Sequence, residues 1–275
     1  MSFDAEEFVL YQLANAPVLR HPFPHLFIKP IFPEDAYQRL RANLPPLEWL
    51  QPIDDTGTVK LVDGVKKTIV SQVYPGRYIA DIADIEERSE TDGGSPFWSD
   101  FAGWLMSKRF QKLLLQKFHP DIAHRFGADA LLATEIDARL VRDFTDYAIG
   151  PHTDTPRKLV SLLFYLPPDE SLSHLGTSIF APQDPAFRCE GNRHHGFDGF
   201  KKVASMPFVP NALFAFFKTD NSFHGLDQIN QGGVQRDLLL YNIYVQAVRR
   251  GGRRSFLMPW RRGPATTTVF KPEES

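Results

Sequence analysis

The chain has 275 residues, enough for one large domain or two small ones with a substantial core. A hydrophobic content of 43% indicates a globular chain, and a formal net charge of −2 argues against bulk attraction to nucleic acid or membrane. A single cysteine, Cys189, excludes an internal disulfide and any multi-cysteine zinc or iron–sulfur site.

The first residues, Met1 to Glu7, are acidic and lack the basic start and apolar core of a signal peptide. No apolar run approaches the roughly 18 residues that a membrane span needs. We therefore expect a soluble, cytoplasmic protein in which Cys189 is an inert thiol.

Up to residue 129 the sequence predicts mainly helices. Pro33, followed by Glu34 and Asp35, predicts a helix start, because proline fits the first turn and acidic side chains favour its positive dipole end. Aromatic residues at helical spacing predict one helix over 95–117, whose aromatic stripe we assign to the core. The acidic segment 81–92 predicts a solvated face or loop. Further helices are expected over 4–15 and 122–126, a strand over 26–28, and a hairpin of strands 58–62 and 67–74 that turns at Asp63-Gly64.

After residue 129 the pattern changes to short apolar runs separated by Gly, Pro and Asn. Strands are expected over 131–144, 158–166, 177–181, 201–208, 212–217 and 237–248. Several strands without long helices between them favour a sandwich or barrel. We expect a single domain over 1–275, with a helical N-terminal support region (1–129), a β core (130–248) and a basic C-terminal tail (249–275).

A candidate metal site begins at His152-Thr153-Asp154. Side chains two apart on an extended segment point to the same face, so this imidazole and this carboxylate can reach one ion. A lone His-x-Asp pair is weak, because chance produces such pairs often. His224, which follows the aromatic stretch Leu213 to Phe217, is well placed to be the third ligand. Two histidines and one carboxylate are the donor set of non-heme iron(II) oxygenases.

Arg236 begins the apolar stretch 237–245, and a charge at the start of a buried strand needs a partner, because an unpaired buried charge is costly. A cosubstrate carboxylate would accept two parallel hydrogen bonds from the guanidinium. The alternative is that Arg236 lies at the strand mouth and pairs with Asp237 or solvent. Tyr165, on the strand after the first two ligands, is a candidate for an interior hydroxyl that meets the guanidinium.

Taken together, these residues resemble the iron(II)- and 2-oxoglutarate-dependent oxygenases, specifically the branch that looks like prolyl hydroxylases. The matching residues are His152-Thr153-Asp154, Phe164-Tyr165-Leu166, Gly176-Thr177, His224-Gly225 and Arg236. The resemblance implies a fold that is mainly β with α: a double-stranded β-helix (a jelly-roll, cupin-like barrel) flanked by N-terminal helices.

The same resemblance implies the cofactors and their ligands. Fe(II) would be held by His152, Asp154 and His224, and Arg236 would bind the distal carboxylate of 2-oxoglutarate. The implied reaction consumes O2 and 2-oxoglutarate, releases succinate and CO2, and hydroxylates a C–H bond.

Three further residues are cosubstrate candidates of lower rank. Tyr165 matches a position at which some relatives have a hydroxyl that also binds the distal carboxylate of 2-oxoglutarate. Ser161 shares the Tyr165 face by alternation, and Tyr147 is a candidate ligand or pocket wall.

Two segments outside this constellation have alternative interpretations. His194-His195 lies in the long insert 182–200, where a pocket rim or substrate lid is favoured over a second metal site, because adjacent histidines point apart. Arginines at 249–254 and 261–262 surround Trp260. These residues are compatible with a solvated basic tail, with a tail that pairs with the acidic 81–92 segment of this chain or another, or with a site that binds phosphate or single-stranded nucleic acid.

Three functions follow from these alternatives. The favoured one is hydroxylation of a small molecule, anionic or sugar-like; a protein or nucleic-acid hydroxylase or demethylase of the same fold is the second. The third is a catalytically silent jelly-roll binding module. The sequence leaves open the substrate, the carbon attacked, other outcomes such as desaturation or epimerisation, and the oligomeric state.

Overall fold

The computed structural model describes residues 5–53, 58–62, 65–69, 76–91, 96–250, 253–256 and 268–270. The predicted turn at Asp63-Gly64 and the region around Trp260 lie outside these residues. The helices are α1 (Ala5–Asn15), α2 (Glu34–Ala42), α3 (Ile82–Thr91), α4 (Phe97–Leu105), α5 (Lys108–Lys117) and α6 (His119–Phe126). The strands are β1 (His25–Ile28), β2 (Gln51–Pro52), β3 (Thr58–Val62), β4 (Val65–Ile69), β5 (Arg77–Asp81), β6 (Leu131–Phe144), β7 (Ile149–His152), β8 (Lys158–Tyr165), β9 (Thr177–Pro182), β10 (Phe200–Met206), β11 (Ala212–Phe217), β12 (His224–Leu226), β13 (Gln235–Arg250), β14 (Arg253–Phe256) and β15 (Thr268–Phe270).

Two antiparallel sheets form the core of the described chain. The larger has the order β1-β11-β8-β13-β6-β5-β2, and the smaller has the order β10-β9-β12-β7. From β6 to β13 the chain passes back and forth between them, with β6, β8, β11 and β13 in the larger sheet and β7, β9, β10 and β12 in the smaller. This connection pattern is that of a jelly roll, so the predicted mainly β, jelly-roll fold is confirmed.

The alternation of side chains along strand β13 explains why some of its residues face the core and others face a cavity. The strand lies between β8 and β6, and its side chains alternate between two environments. Odd-numbered residues such as Leu239 and Tyr241 pack in the core shared with the helices. The even-numbered residues from Arg236 to Asn242 face a cavity between the two sheets.

The helices cover the outer face of the larger sheet. Phe110 of α5 packs edge-on against Tyr241 of β13, with ring centroids 5.1 Å apart, and Phe32 stacks on Phe164 of β8 at 5.5 Å. This apolar layer leaves the opposite face of the sheet for the polar cavity.

Two segments of the N-terminal half differ in part from their predictions. The helix expected over 95–117 is two helices, because Ser107 caps a new one: its hydroxyl accepts a hydrogen bond from the Phe110 backbone N–H at 3.1 Å. The acidic segment 81–92, predicted as a solvated face or loop, is mostly helix α3, and its charged residues form the solvated face of that helix. Ile82 and Ile85 are buried, so the segment is an amphipathic helix whose charged residues lie on the outer side.

The C-terminal segment adds strands to the larger sheet. Strand β14 pairs with β13, and β15 pairs with β6. The arginine side chains of this segment lie outside the described part of the chain, so their predicted partners stay predictions. Among the described residues, no helix combines the length and apolarity that crossing a bilayer requires.

Candidate metal and cosubstrate site

The three predicted metal ligands converge at one edge of the smaller sheet. His152 ends β7 and His224 begins the neighbouring β12, where the two residues are direct antiparallel partners. Their rings lie 4.3 Å apart, centroid to centroid. Asp154 follows two residues after β7, and the potential ligand atoms of the three residues all lie within 4.8 Å of one another. Neither β7 nor β12 is among the strands that the sequence predicted, although both candidate ligand histidines lie on strands.

Backbone carbonyls set the orientation of both imidazoles. His152 Nδ1 lies 2.9 Å from the Gly150 carbonyl oxygen, and His224 Nδ1 lies 2.9 Å from that of Ser222. Because a carbonyl oxygen can only accept a hydrogen bond, each Nδ1 carries the proton and each Nε2 keeps its lone pair. Both rings therefore offer Nε2 to a metal ion.

Burial also sets the charge of the three groups. Desolvation lowers the pKa of both His152 and His224, so both rings are neutral at neutral pH. Desolvation opposes the charge on Asp154, but Lys158 and the nearby histidines outweigh it and hold the pKa of Asp154 below its ordinary value. Two neutral imidazoles and one carboxylate, already deprotonated, are what a divalent transition metal requires.

Two side chains hold Asp154 from β8. Lys158 Nζ donates to Asp154 Oδ1 at 2.9 Å, and Ser161 Oγ donates to Oδ2 at 2.8 Å. Burial disfavours the charge on Lys158, but Asp154 outweighs this and raises the pKa of the lysine. Ser161, predicted to assist the cosubstrate, thus contacts the metal carboxylate. Lys158 was missed, although a charge at the start of an apolar strand is the same pattern that identified Arg236.

A cavity of about 190 Å³ connects the three ligands with Arg236. Its lining includes His152, Asp154, His224, Arg236, Tyr147 and Asn242. The sequence predicted that the metal ligands and the arginine belong to one site, and the cavity joins them.

Arg236 is bound to a carboxylate that the sequence analysis did not consider. Its Nη1 donates to Asp143 Oδ2 at 2.7 Å, and its Nε donates to the Leu175 carbonyl oxygen at 2.8 Å. Neither suggested alternative, Asp237 or solvent, is its partner: the guanidinium is buried, and Asp237 accepts from Arg142 at 2.7 Å.

Asp143 also binds a second arginine. Arg77 of β5 donates from Nε and Nη2 to its two carboxylate oxygens at 2.6 and 2.9 Å. The three residues lie side by side on neighbouring strands, Arg77 opposite Asp143 and Asp143 opposite Arg236. Two guanidinium groups therefore share one carboxylate at this end of the cavity.

The two tyrosines differ in their relation to the cavity. The Tyr165 hydroxyl donates to Thr177 Oγ1 at 2.8 Å, so it does not meet the guanidinium; its ring centroid lies 5.9 Å from Arg236 Cζ. Tyr147 is buried and lines the cavity, and the Arg77 guanidinium lies over its ring at 4.0 Å. Tyr147 therefore forms part of the wall.

The insert 182–200 packs against the ligand-bearing segment. The His195 backbone N–H donates to the Pro151 carbonyl oxygen at 2.9 Å, and Thr153 Oγ1 donates to that of Cys189 at 2.8 Å. The ring of His194 lies 4.3 Å from that of His152, and burial lowers the pKa of His194 to about 4. The insert thus lies beside the metal ligands, as a lid or rim requires.

A second cavity of about 210 Å³ lies on this outer side. Its lining combines polar residues of the insert and of the ligand-bearing segment with Arg77 and two isoleucines: Ile53, Arg77, Ile149, His152, Thr153, Asp154, Thr155, Asn192 and His194. The candidate metal ligands therefore lie between an inner and an outer cavity.

Comparison with known proteins gives no matching family model and no matching curated protein. Similar solved structures include HygX from Streptomyces hygroscopicus with nickel, 2-oxoglutarate and hygromycin B bound (14% identity, 80% of this chain and 82% of that chain, TM-score 0.41). A Pseudomonas putida prolyl-4-hydroxylase is also similar (15% identity, 90% and 100% covered, TM-score 0.44). A third is the epimerase SnoN in complex with Fe3+, alpha-ketoglutarate and nogalamycin RO (9% identity, 96% of each chain covered, TM-score 0.42).

Proposed function

We propose that this chain is an iron(II)- and 2-oxoglutarate-dependent oxygenase that hydroxylates a C–H bond of a small molecule. The observation that carries the proposal is the inner cavity. It joins three convergent metal ligands to a buried guanidinium in one continuous space. When bound, iron(II) with 2-oxoglutarate and O2 supplies the oxidising chemistry, with release of succinate and CO2.

The donor set supports iron(II). His152 and His224 present neutral Nε2 atoms, and Asp154 keeps lone pairs beside those used by Lys158 and Ser161. Two imidazoles and one carboxylate leave further coordination positions open for a cosubstrate. Catalytic zinc sites with three protein ligands can use the same donor set. The arginines at the other end of the cavity are therefore what favours an iron(II) and 2-oxoglutarate site over a zinc site.

The charge at that end supports a dicarboxylate. Arg236 lines the cavity and shares Asp143 with a second guanidinium, that of Arg77, so a carboxylate that enters the cavity would meet cationic groups at this end. Arg236 is fixed by Asp143 and Leu175 before any ligand arrives, so little ordering is needed on binding. Arg236 would bind the distal carboxylate, and His152, Asp154 and His224 would hold the metal that binds the other end.

The outer cavity supports a small substrate. Its volume is about 210 Å³, and the insert 182–200 closes one side of it. Asn192, His194 and Thr155 give it hydrogen-bonding walls, which suit a polar substrate such as a sugar-like molecule. Arg77, which lines both cavities, suits an anionic group.

The decisive experiment measures binding and turnover separately. Calorimetry with Ni(II) in place of Fe(II) should show 2-oxoglutarate binding to the wild type that requires the metal. Oxygen-dependent succinate release with Fe(II), stimulated by polar metabolites in an untargeted screen, should identify the substrate. Asp154→Ala should abolish both, whereas Asp227→Ala, which alters an exposed carboxylate, should change neither. Failure of the wild type to bind 2-oxoglutarate would leave a jelly-roll binding module as the better interpretation.

A further inference from the structure

Asn242 is a buried polar residue that faces the inner cavity. Only 5% of its surface is exposed, and its side chain lines the space shared by the metal ligands and Arg236. Within the described part of the chain, its amide has no hydrogen-bond partner. Buried amide groups are nearly always hydrogen-bonded, because removing one from water without a partner is costly. The amide is therefore available to a ligand in the cavity.

Strand β13 places Asn242 and Arg236 at opposite ends of one row of side chains. Residues 236, 238, 240 and 242 share a face by alternation, and all four line the cavity. Leu238 and Leu240 form an apolar floor between the two polar ends. A ligand that matches this row has an anionic group at the Arg236 end, an apolar middle, and a hydrogen-bonding group at the Asn242 end.

The register of the sheet puts Asn242 beside the metal ligands. Its direct partner on β8 is Ser161, whose hydroxyl donates to Asp154 Oδ2 at 2.8 Å. Side chains of directly opposed residues lie about 5 Å apart at Cβ. Asp154 already accepts from Ser161 and Lys158, so Asn242 is not needed to hold the metal carboxylate.

We infer that Asn242 is a binding residue for the metal end of the cosubstrate. Its side-chain N–H donates to the carboxylate adjacent to the keto group of the 2-oxo acid, while Arg236 binds the distal carboxylate. This inference rests on the proposed function, because it takes the ligand of the inner cavity to be a 2-oxo dicarboxylate. A hydrogen bond to a charged acceptor is stronger than a neutral one, so its loss should weaken binding about tenfold or more.

The test replaces the amide with an apolar group of similar size. Asn242→Leu removes both donor and acceptor beside Leu240, and Asn242→Asp removes the donor and adds a negative charge. Ni(II) affinity is measured first, and 2-oxoglutarate affinity is then measured with Ni(II) present, both by calorimetry. Asn230→Leu, at an exposed position, is the matched control.

The expected result is a loss confined to the cosubstrate. Asn242→Leu should keep its Ni(II) affinity and its unfolding midpoint, and bind 2-oxoglutarate about tenfold more weakly. Asn242→Asp should bind it more weakly still, because two carboxylates then oppose each other.

Two outcomes would overturn the inference alone. One is 2-oxoglutarate affinity in Asn242→Leu within twofold of a wild type that binds it. The other is a parallel loss of Ni(II) affinity or fold stability, which would make Asn242 a structural residue. A wild type that binds Ni(II) but not 2-oxoglutarate would instead overturn the proposed function, and the inference with it.

Discussion

Asp143 supplies the negative charge between the two guanidinium groups at one end of the inner cavity. It is fully buried between Arg77 and Arg236, and it is the carboxylate to which both guanidiniums donate. The sequence predicted that Arg236 needs a partner, because it begins an apolar strand. It could not identify Asp143, because that contact depends on the register between β13 and β6, which residues distant in the chain determine together.

Asp143→Asn should destabilise the fold strongly. The substitution leaves the buried Arg236 and the partly buried Arg77 without their shared negative charge, and breaking a buried ion pair from one side typically costs about 3–5 kcal/mol. Urea denaturation would measure the loss. Asp227→Asn, which alters an exposed pair with Lys202, should change the free energy of unfolding by about 1 kcal/mol or less. Equal effects of the two substitutions would contradict the assigned role of Asp143.

Ser161→Ala should weaken metal binding without removing a ligand. The Ser161 hydroxyl orients Asp154, and loss of such a supporting hydrogen bond typically lowers metal affinity about 10- to 100-fold. Calorimetric titration with Ni(II) would measure the change. Ser205→Ala, at an exposed position on β10, is the matched control and should keep wild-type affinity. If Ser161→Ala also keeps it, the hydrogen bond does not support the metal site.

Among the elements, β7 and β12 show why very short strands are difficult to predict from the sequence. Strand β7 has four residues, including Gly150 and Pro151, and β12 has three, so neither shows a strand-like alternation of apolar residues. The longer strands β8, β11 and β13 were predicted correctly within a few residues, because buried apolar runs distinguish them. The convergence of His152, Asp154 and His224 was therefore easier to predict than the short strands that carry the two histidines.

The contact between β7 and the insert 182–200 predicts an effect of Gly150→Ala. A Cβ at this position would lie 2.3 Å from the His195 carbonyl oxygen, so one of the two backbone segments must move. Overpacking of this kind typically costs about 1–3 kcal/mol, and here it should also weaken Ni(II) binding, because His152 lies two residues away.

Gly196→Ala is the control for that experiment. It lies in the same insert, its φ is −67°, and an added Cβ would have no described atom within 4 Å. Its free energy of unfolding should stay within about 0.5 kcal/mol of the wild type. Comparable losses in both variants would indicate that the insert, and not its contact with β7, controls stability.

For the whole molecule, a cluster of buried and partly buried imidazoles predicts how stability depends on pH. His152, His194 and His224 all have pKa values below the ordinary histidine value, with His194 at about 4. The unfolded chain therefore binds protons more readily than the folded chain below about pH 6.5. The stability that these neutral imidazoles contribute is complete above that pH and is lost as the pH falls towards 4.

The metal-free protein should therefore keep a constant urea midpoint between pH 7 and 8, and lose stability steadily from about pH 6.5 downwards. Each proton taken up on unfolding contributes a slope of up to about 1.4 kcal/mol per pH unit. His194→Gln should reduce the slope by as much as one such contribution. An unchanged slope in His194→Gln would show that its ring is not desolvated in the folded state.

At the same scale, the jelly roll could be predicted because its strands are long and apolar, and because the metal motif carries a resemblance to one family. The N-terminal half was predicted less accurately. Its helices pack on the larger sheet and its strand β5 pairs with β6 within that sheet, and these contacts decide where each element begins and ends. The break at Ser107 and the helix over 82–91 depend on such contacts, and composition does not record them.

His152 and His224 are both oriented by a backbone carbonyl, and this orientation affects how quickly a metal ion can bind between them. Each ring is held by a carbonyl oxygen two residues before it, on adjoining strands that fix their separation. Neither ring has to rotate or lose a proton when an ion arrives, so its entry should be paced by the release of coordinated water. Within this group of residues, Lys158 and Ser161 use one lone pair on each oxygen of Asp154, so the carboxylate can bind the ion while the ammonium stays in place.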